Sequence, residues 1–143
     1  MLLELLNHLR RAGLDGFKDV RTEPMQSQVP TLAVIVEDDT LQRDTLAGAL
    51  ARENIDVIQC SSAAAAELLV SRIGTELRLL VTDLWLSNAP VGAQLARFAK
   101  ERHPHLCVVV VSGDEDVCLP GSIHFLRKPY QPADLVRTTS KLM

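Results

Sequence analysis

Three apolar runs in this chain each stop at a charged signal. Leu32–Val36 runs into Glu37-Asp38-Asp39, Leu79–Thr82 into Asp83, and the short run through Phe125 into Lys128-Pro129. A further run, Cys107–Val111, closes on Ser112-Gly113. Leu32–Val36 is rich in β-branched residues and lacks polar alternation, as expected of a strand buried on both faces of a parallel sheet. In an open parallel sheet all strand ends emerge on one edge, where ligands bind. One edge can therefore collect three carboxylates, a hydroxyl and an ammonium.

Helical patterns fill the intervals. Thr40 can cap a helix with apolar positions Leu41, Leu46, Ala49 and Leu50, ended by Asn54. Ile55, Val57 and Ile58 form a second strand. Ser61 or Ser62 starts a helix over Ala63–Val70, whose alanines predict close packing on the sheet. Gly92–Glu101 reads as a helix with Leu95, Phe98 and Ala99 inward, followed by Pro104. Ile123–Leu126 is a short fifth strand. Pro132 sits in the first turn of a last helix, with Leu135, Val136 and Leu142 inward. The alternation predicts an α/β fold: a doubly wound, five-stranded parallel sheet with right-handed crossovers and helices on both faces. One interval departs from it. Gly113–Ser122 is too short for a crossover containing a regular helix, and Pro120-Gly121 shortens it further. A turn or a stub of helix is expected there, leaving one face thinly covered.

With 143 residues there is room for one domain and one core. Residues 1–30 stand apart from 31–143. Leu2, Leu3, Leu5, Leu6 and Leu9 make an apolar stripe at helical spacing, while Lys18–Pro30 is polar and reads as a linker. A helix so short is marginal alone, so it must pack on the domain, pair with the same helix of a second chain as a homodimer, or fray. Met1–Leu9 contains Glu4 and His8 and does not read as a signal peptide. The longest apolar stretch is too short to span a bilayer. Net charge is -3 and the basic residues are scattered, which argues against direct nucleic-acid binding. Three cysteines without CxxC spacing argue against a zinc knuckle and a disulfide framework. Cys60 and Cys107 read as core thiols in a reducing compartment, the cytoplasm, with Cys118 in a loop.

The strand ends carry the chemistry. A carboxylate oxygen of Asp83 can attack phosphorus and hold the phosphoryl group as an acyl phosphate. Taken alone, Asp83 reads equally as a turn or capping aspartate. Glu37 and Asp38 would repel each other and Asp83 unless a cation neutralised them, and an all-oxygen set suits Mg²⁺. Asp38 is the main candidate ligand, Glu37 acts through water, and Asp83 adds a further oxygen. Asp39 fits the start of the next helix better. Lys128 offers a point charge to a phosphoryl oxygen, or pairs with Asp83 while the site is empty. Ser112 can donate to a phosphoryl oxygen, with space kept open by Gly113. Phe125 reads either as core or as a ring that changes rotamer when Ser112 shifts. Trp85 covers the site or forms an exposed docking contact.

In order and placement these motifs resemble the receiver domain of bacterial response regulators, from Thr31 to about Leu142. Val36-Glu37-Asp38-Asp39 is similar to the family's acidic motif, Asp83 to its phosphoacceptor, Ser112-Gly113 to its hydroxyl and small residues, Phe125 to its switch aromatic, and Lys128-Pro129-Tyr130 to its ending. The resemblance implies a flavodoxin-like three-layer sandwich and a cis Lys128–Pro129 bond. It also implies Mg²⁺ dependence, slow self-dephosphorylation, phosphotransfer from a histidine kinase or histidine phosphotransfer protein, and output through a further protein. Three features depart from the family pattern. Ser87 stands where many members have proline, Gly92 arrives one residue late so that Ser87-Asn88-Ala89-Pro90 remodels the loop, and the fourth-helix segment is cut short. The last change puts the usual dimer or partner surface in doubt, and no output domain is expected after Met143.

Specific residues speak against three rival readings. A Mg²⁺ hydrolase of the haloacid-dehalogenase type needs a second aspartate two residues after the nucleophile, where this chain has Trp85. A degenerate interaction module would not need the complete acidic, hydroxyl and lysine set. A flavin carrier would need a phosphate loop, whereas three acids follow the first strand.

Overall fold

The structure, a computed structural model, describes residues 31–113 and 118–143. The leucine stripe and linker of residues 1–30, and the homodimer expected through them, lie outside the described residues. The elements follow in the order β1 (Thr31–Val36), α1 (Thr40–Ala51), β2 (Ile55–Cys60), α2 (Ala63–Ile73), β3 (Leu77–Asp83), α3 (Val91–Arg102), β4 (Cys107–Ser112), β5 (His124–Arg127) and α4 (Pro132–Leu142). All strand pairs are parallel, in the order β2-β1-β3-β4-β5. The fold is therefore the expected doubly wound α/β sheet. Along β1, β3 and β4 both faces are buried. Val34, Leu80 and Val110 pack with α2 and α3 on one face; Ala33, Val81 and Val109 pack with α1 and α4 on the other.

Several boundaries move for identifiable reasons. Asp39, not Thr40, is the N-cap of α1: its Oδ1 accepts from the Gln42 amide at 2.9 Å. Ser62 is the corresponding cap of α2, accepting from the Ala65 amide at 3.2 Å. Within α1 the expected inward Leu41 is 76% exposed, and Arg43 faces the core instead, in a stripe with Leu46, Ala47 and Leu50. β3 starts two residues earlier than its apolar run. Arg78 is an extra, exposed residue where the register with β1 shifts between Leu32 and Ala33, so a polar side chain interrupts the run without ending the strand. Of the alanines in α2, Ala66 is fully buried and Ala63 and Ala65 pack at the rim of the core. Cys60 is buried, and half-buried Cys107 donates from Sγ to the Leu142 carbonyl at 3.1 Å.

The short crossover leaves its mark on β5. Residues 118–122 contain no helix. Arg97 of α3 donates to the Cys118 carbonyl at 3.1 Å, and Leu119 packs at the edge of the core near Ile123. β5 begins at His124, one residue later than its sequence pattern, in register with Val109. Phe125, opposite Val110, is 38% exposed and is not a core residue.

Candidate functional site

The acidic run, Asp83 and Lys128 meet at the C-terminal edge of the sheet. β1 ends at Val36, and the Glu37 amide still donates to the Cys60 carbonyl at 3.0 Å, which holds the run against β2. β3 carries its pairing to Asp83, in register with Val111. Glu37 is 3% exposed, Asp38 is exposed and Asp83 is intermediate; one carboxylate oxygen from each lies within 4.8 Å of the others. Lys128 Nζ donates to Asp83 Oδ2 at 2.9 Å, to Glu37 Oε1 at 3.4 Å and to Gln42 Oε1 at 3.2 Å. Its own amide donates to the Ser112 carbonyl at 2.8 Å, which ties the lysine loop to the end of β4. The Lys128–Pro129 peptide is cis. Ser112 is 1% exposed at the end of β4, one residue past the partner of Asp83. Phe125 lies on the edge strand, away from this cluster in the sheet.

The loop after Asp83 is built around a tight turn. Leu86 and Ala89 exchange backbone hydrogen bonds of 2.9 and 3.2 Å around Ser87 and Asn88. Those two residues have φ of 53° and 62°, the paired left-handed geometry of a type I′ turn. The turn reaches back to the acidic run, because the Ser87 amide donates to Asp38 Oδ2 at 3.1 Å. Gly92 then closes the loop by donating to the Leu84 carbonyl at 3.0 Å. A Cβ on Gly92 would collide with the backbone carbonyl of Asp83, so only glycine lets α3 approach this closely. Trp85 is 44% exposed, and its amide donates to Asp83 Oδ1 at 3.3 Å.

Two side chains escaped the sequence reading. Gln42 shares Lys128 with the carboxylates. Arg43, buried in the first turns of α1, donates from Nη1 to the Glu37 carbonyl at 2.9 Å and from Nε to Gln59 Oε1 at 3.3 Å. The available signal was a polar residue three before Leu46 and seven before Leu50, on the same helical stripe.

Titration follows from this geometry. Burial, then the Asp83 charge, pushes Glu37 up to about 7, against the pull of Lys128. The Ser87 amide, and after it the hydrogen bond with Glu37, holds Asp38 below the usual carboxylate range. Burial opposes the charge on Lys128, but the hydrogen bond to Asp83 and the charges of Asp83 and Glu37 outweigh it and raise its pKa. Burial, followed by the nearby Glu37 and Asp83 charges, raises Tyr130. A buried carboxylate that resists ionisation beside two others forms an all-oxygen donor set suited to a hard divalent cation.

No protein-family model matches the chain. The transcriptional regulatory protein FixJ of Azorhizobium caulinodans is 30% identical over 108 residues, covering 71% of this chain and 50% of FixJ. The chain thus spans about half the length of the curated relative it matches. Among solved structures, a response regulator receiver protein from Sinorhizobium medicae superposes with a TM-score of 0.70 at 26% identity, covering 78% of this chain and 93% of that one. The receiver domain of NtrX from Brucella abortus gives a TM-score of 0.65 at 26% identity, covering 77% and 96%. CheY4 of Vibrio cholerae, at 13% identity and a TM-score of 0.67, shares the fold; 79% of this chain and 98% of CheY4 are covered.

Proposed function

We propose that this chain, a response-regulator receiver domain, takes a phosphoryl group onto Asp83 from a phosphohistidine of a histidine kinase or histidine phosphotransfer protein, and signals by protein contact. The observation that carries the reading is Lys128 Nζ at 2.9 Å from Asp83 Oδ2, beside three carboxylates that converge within 4.8 Å. One Asp83 oxygen forms the new O–P bond as the donor's N–P bond breaks, and the electron pair of that bond leaves with the imidazole nitrogen. Lys128 lets go of the Asp83 carboxylate and meets the transferred oxygens. Ser112, at the end of β4, donates its hydroxyl to one of them. Glu37, Asp38 and Asp83 would hold Mg²⁺, which would offset the charge of the incoming phosphoryl group. Turnover is limited to slow self-dephosphorylation, since Trp85 stands where an aspartyl-phosphate hydrolase would carry its general acid and an indole transfers no proton there.

The test is incubation with Mg²⁺ and a small phosphodonor, followed by intact mass. The wild-type chain should gain one phosphoryl group, and Asp83→Asn should gain none while keeping its fold. Equal labelling of the mutant would sink the assignment, and an unlabelled wild type would favour a degenerate interaction module.

A further inference from the structure

An ammonium has three N–H donors. Lys128 Nζ meets three acceptors: Asp83 Oδ2 at 2.9 Å, Gln42 Oε1 at 3.2 Å and Glu37 Oε1 at 3.4 Å. The three differ in charge and in depth. Glu37 and Asp83 are carboxylates whose side chains are 4% and 12% exposed, against 30% for Lys128. Gln42 is neutral and exposed, in the first turn of α1. The ammonium is therefore suspended between two sunken charges and one outer amide. Gln42 and Lys128 both line a cavity of about 530 Å³ between α1 and the stretch from Lys128 to Pro132, so their contact lies on the open side of the acidic cluster. The backbone on each side of the contact is fixed. The Gln42 amide donates to Asp39 Oδ1 at 2.9 Å, and the neighbouring Arg43 is tied to the Glu37 carbonyl. The Lys128 amide donates to the Ser112 carbonyl.

We infer that Gln42 is a positioning residue for phosphoryl transfer to Asp83, its carboxamide oxygen holding the Lys128 ammonium at the open side of the acidic cluster. The inference rests on Asp83 being the phosphoacceptor. Two carboxylates attract a cation more strongly than an amide does. Without Gln42 the ammonium settles between Glu37 and Asp83. There it competes with a divalent cation for the same oxygens, and it has to be drawn out again to meet an incoming phosphoryl oxygen. A neutral acceptor suits the task for a second reason. An anionic phosphoryl group takes Lys128 from an amide more readily than from a charged partner, because hydrogen bonds between ionised groups are the stronger ones. A carboxylate at position 42 would hold the ammonium outward too firmly, and an apolar side chain would let it sink.

A double-mutant cycle on the full chain tests this. Mg²⁺ affinity is read from Trp85 emission, and labelling of Asp83 by a small phosphodonor from intact mass. Gln42→Leu removes the oxygen at an exposed position, so the urea midpoint should stay near that of wild type. It should weaken Mg²⁺ binding and slow labelling at saturating Mg²⁺, each about threefold or more. In a Lys128→Met background the same substitution should leave Mg²⁺ affinity unchanged, because the ammonium it positions is gone. Gln42→Glu should also slow labelling, but with tighter Mg²⁺ binding, since the ammonium is drawn outward. Wild-type affinity and labelling in Gln42→Leu, an equal loss of affinity in both backgrounds, or weaker Mg²⁺ binding in Gln42→Glu would each overturn the inference and leave Asp83 as the phosphoacceptor. A wild-type chain that takes no phosphoryl group would overturn the phosphoacceptor reading, and this inference with it.

Discussion

Arg43 Nη1 donates to the main-chain carbonyl of Glu37 at 2.9 Å, so a buried cation in α1 holds the backbone of the acidic run from beneath. Its Nε reaches Gln59 on β2, which fixes the guanidinium between helix and sheet. Replacing it with methionine leaves the buried Glu37 carbonyl and the half-buried Gln59 side chain without these donors. Arg43→Met should cost about 1–3 kcal/mol of stability in urea unfolding. It should also slow labelling of Asp83 by a small phosphodonor, because Glu37 and Asp38 lose their anchor. A variant as stable and as readily labelled as wild type would show that Arg43 merely fills space.

Asp38 accepts from the Ser87 amide at 3.1 Å and also stands among the three carboxylates that could hold a cation. Asp38→Asn keeps a carbonyl oxygen for the amide and loses the charge. Asp38→Ala loses both. Mg²⁺ affinity should fall about tenfold or more in each. The Trp85 emission of metal-free protein should change only in Asp38→Ala, where the loop is released. Trp85 is the one tryptophan of the chain, so the signal has a single source. Unchanged Mg²⁺ affinity in both variants would remove Asp38 from the ligand set.

The strand ends were legible because each apolar run stops where its side chains must leave the core, and the parallel sheet gathers those stops on one edge. Asp83, Glu37, Asp38 and Lys128 were found in this way. Gln42 and Arg43 were not, since a polar residue in a helix normally faces water and only tertiary packing turned this stripe inward, leaving Leu41 outside. That the crossover between β4 and β5 is too short for a regular helix could be deduced from residue counts. The grip of the Ser87 amide on Asp38 could not, because it depends on two left-handed residues that no apolar pattern encodes.

Glu37 gives the metal-free protein a pH dependence of definite sign. Its folded pKa is raised from 4.5 to about 7, so the folded state binds more protons than the unfolded chain across that interval. Stability therefore falls as pH rises from about 4.5 to 7 and levels off above. The urea midpoint in chelator should decline over this window, and Glu37→Gln should flatten the decline. Adding Mg²⁺ near neutral pH should recover stability in the wild type through binding to the folded state alone. A slope that persists unchanged in Glu37→Gln would assign the dependence to another group.

Gly92 couples α3 to Asp83 across the loop between them. Its amide donates to the Leu84 carbonyl at 3.0 Å, and any Cβ there would strike the Asp83 carbonyl. Backbone yields less readily than a flexible side chain, so Gly92→Ala must push α3 away or tilt the end of β3. The expected cost is about 1–3 kcal/mol, as for overpacking elsewhere in a close-packed interior. The more telling readout is labelling of Asp83 under conditions where the variant is still folded. A shifted β3 end lengthens the Lys128–Asp83 contact, and phosphorylation should slow by more than the loss of folded protein explains. If labelling merely tracks the folded fraction, α3 yields to the added methyl and the acceptor geometry does not depend on this glycine.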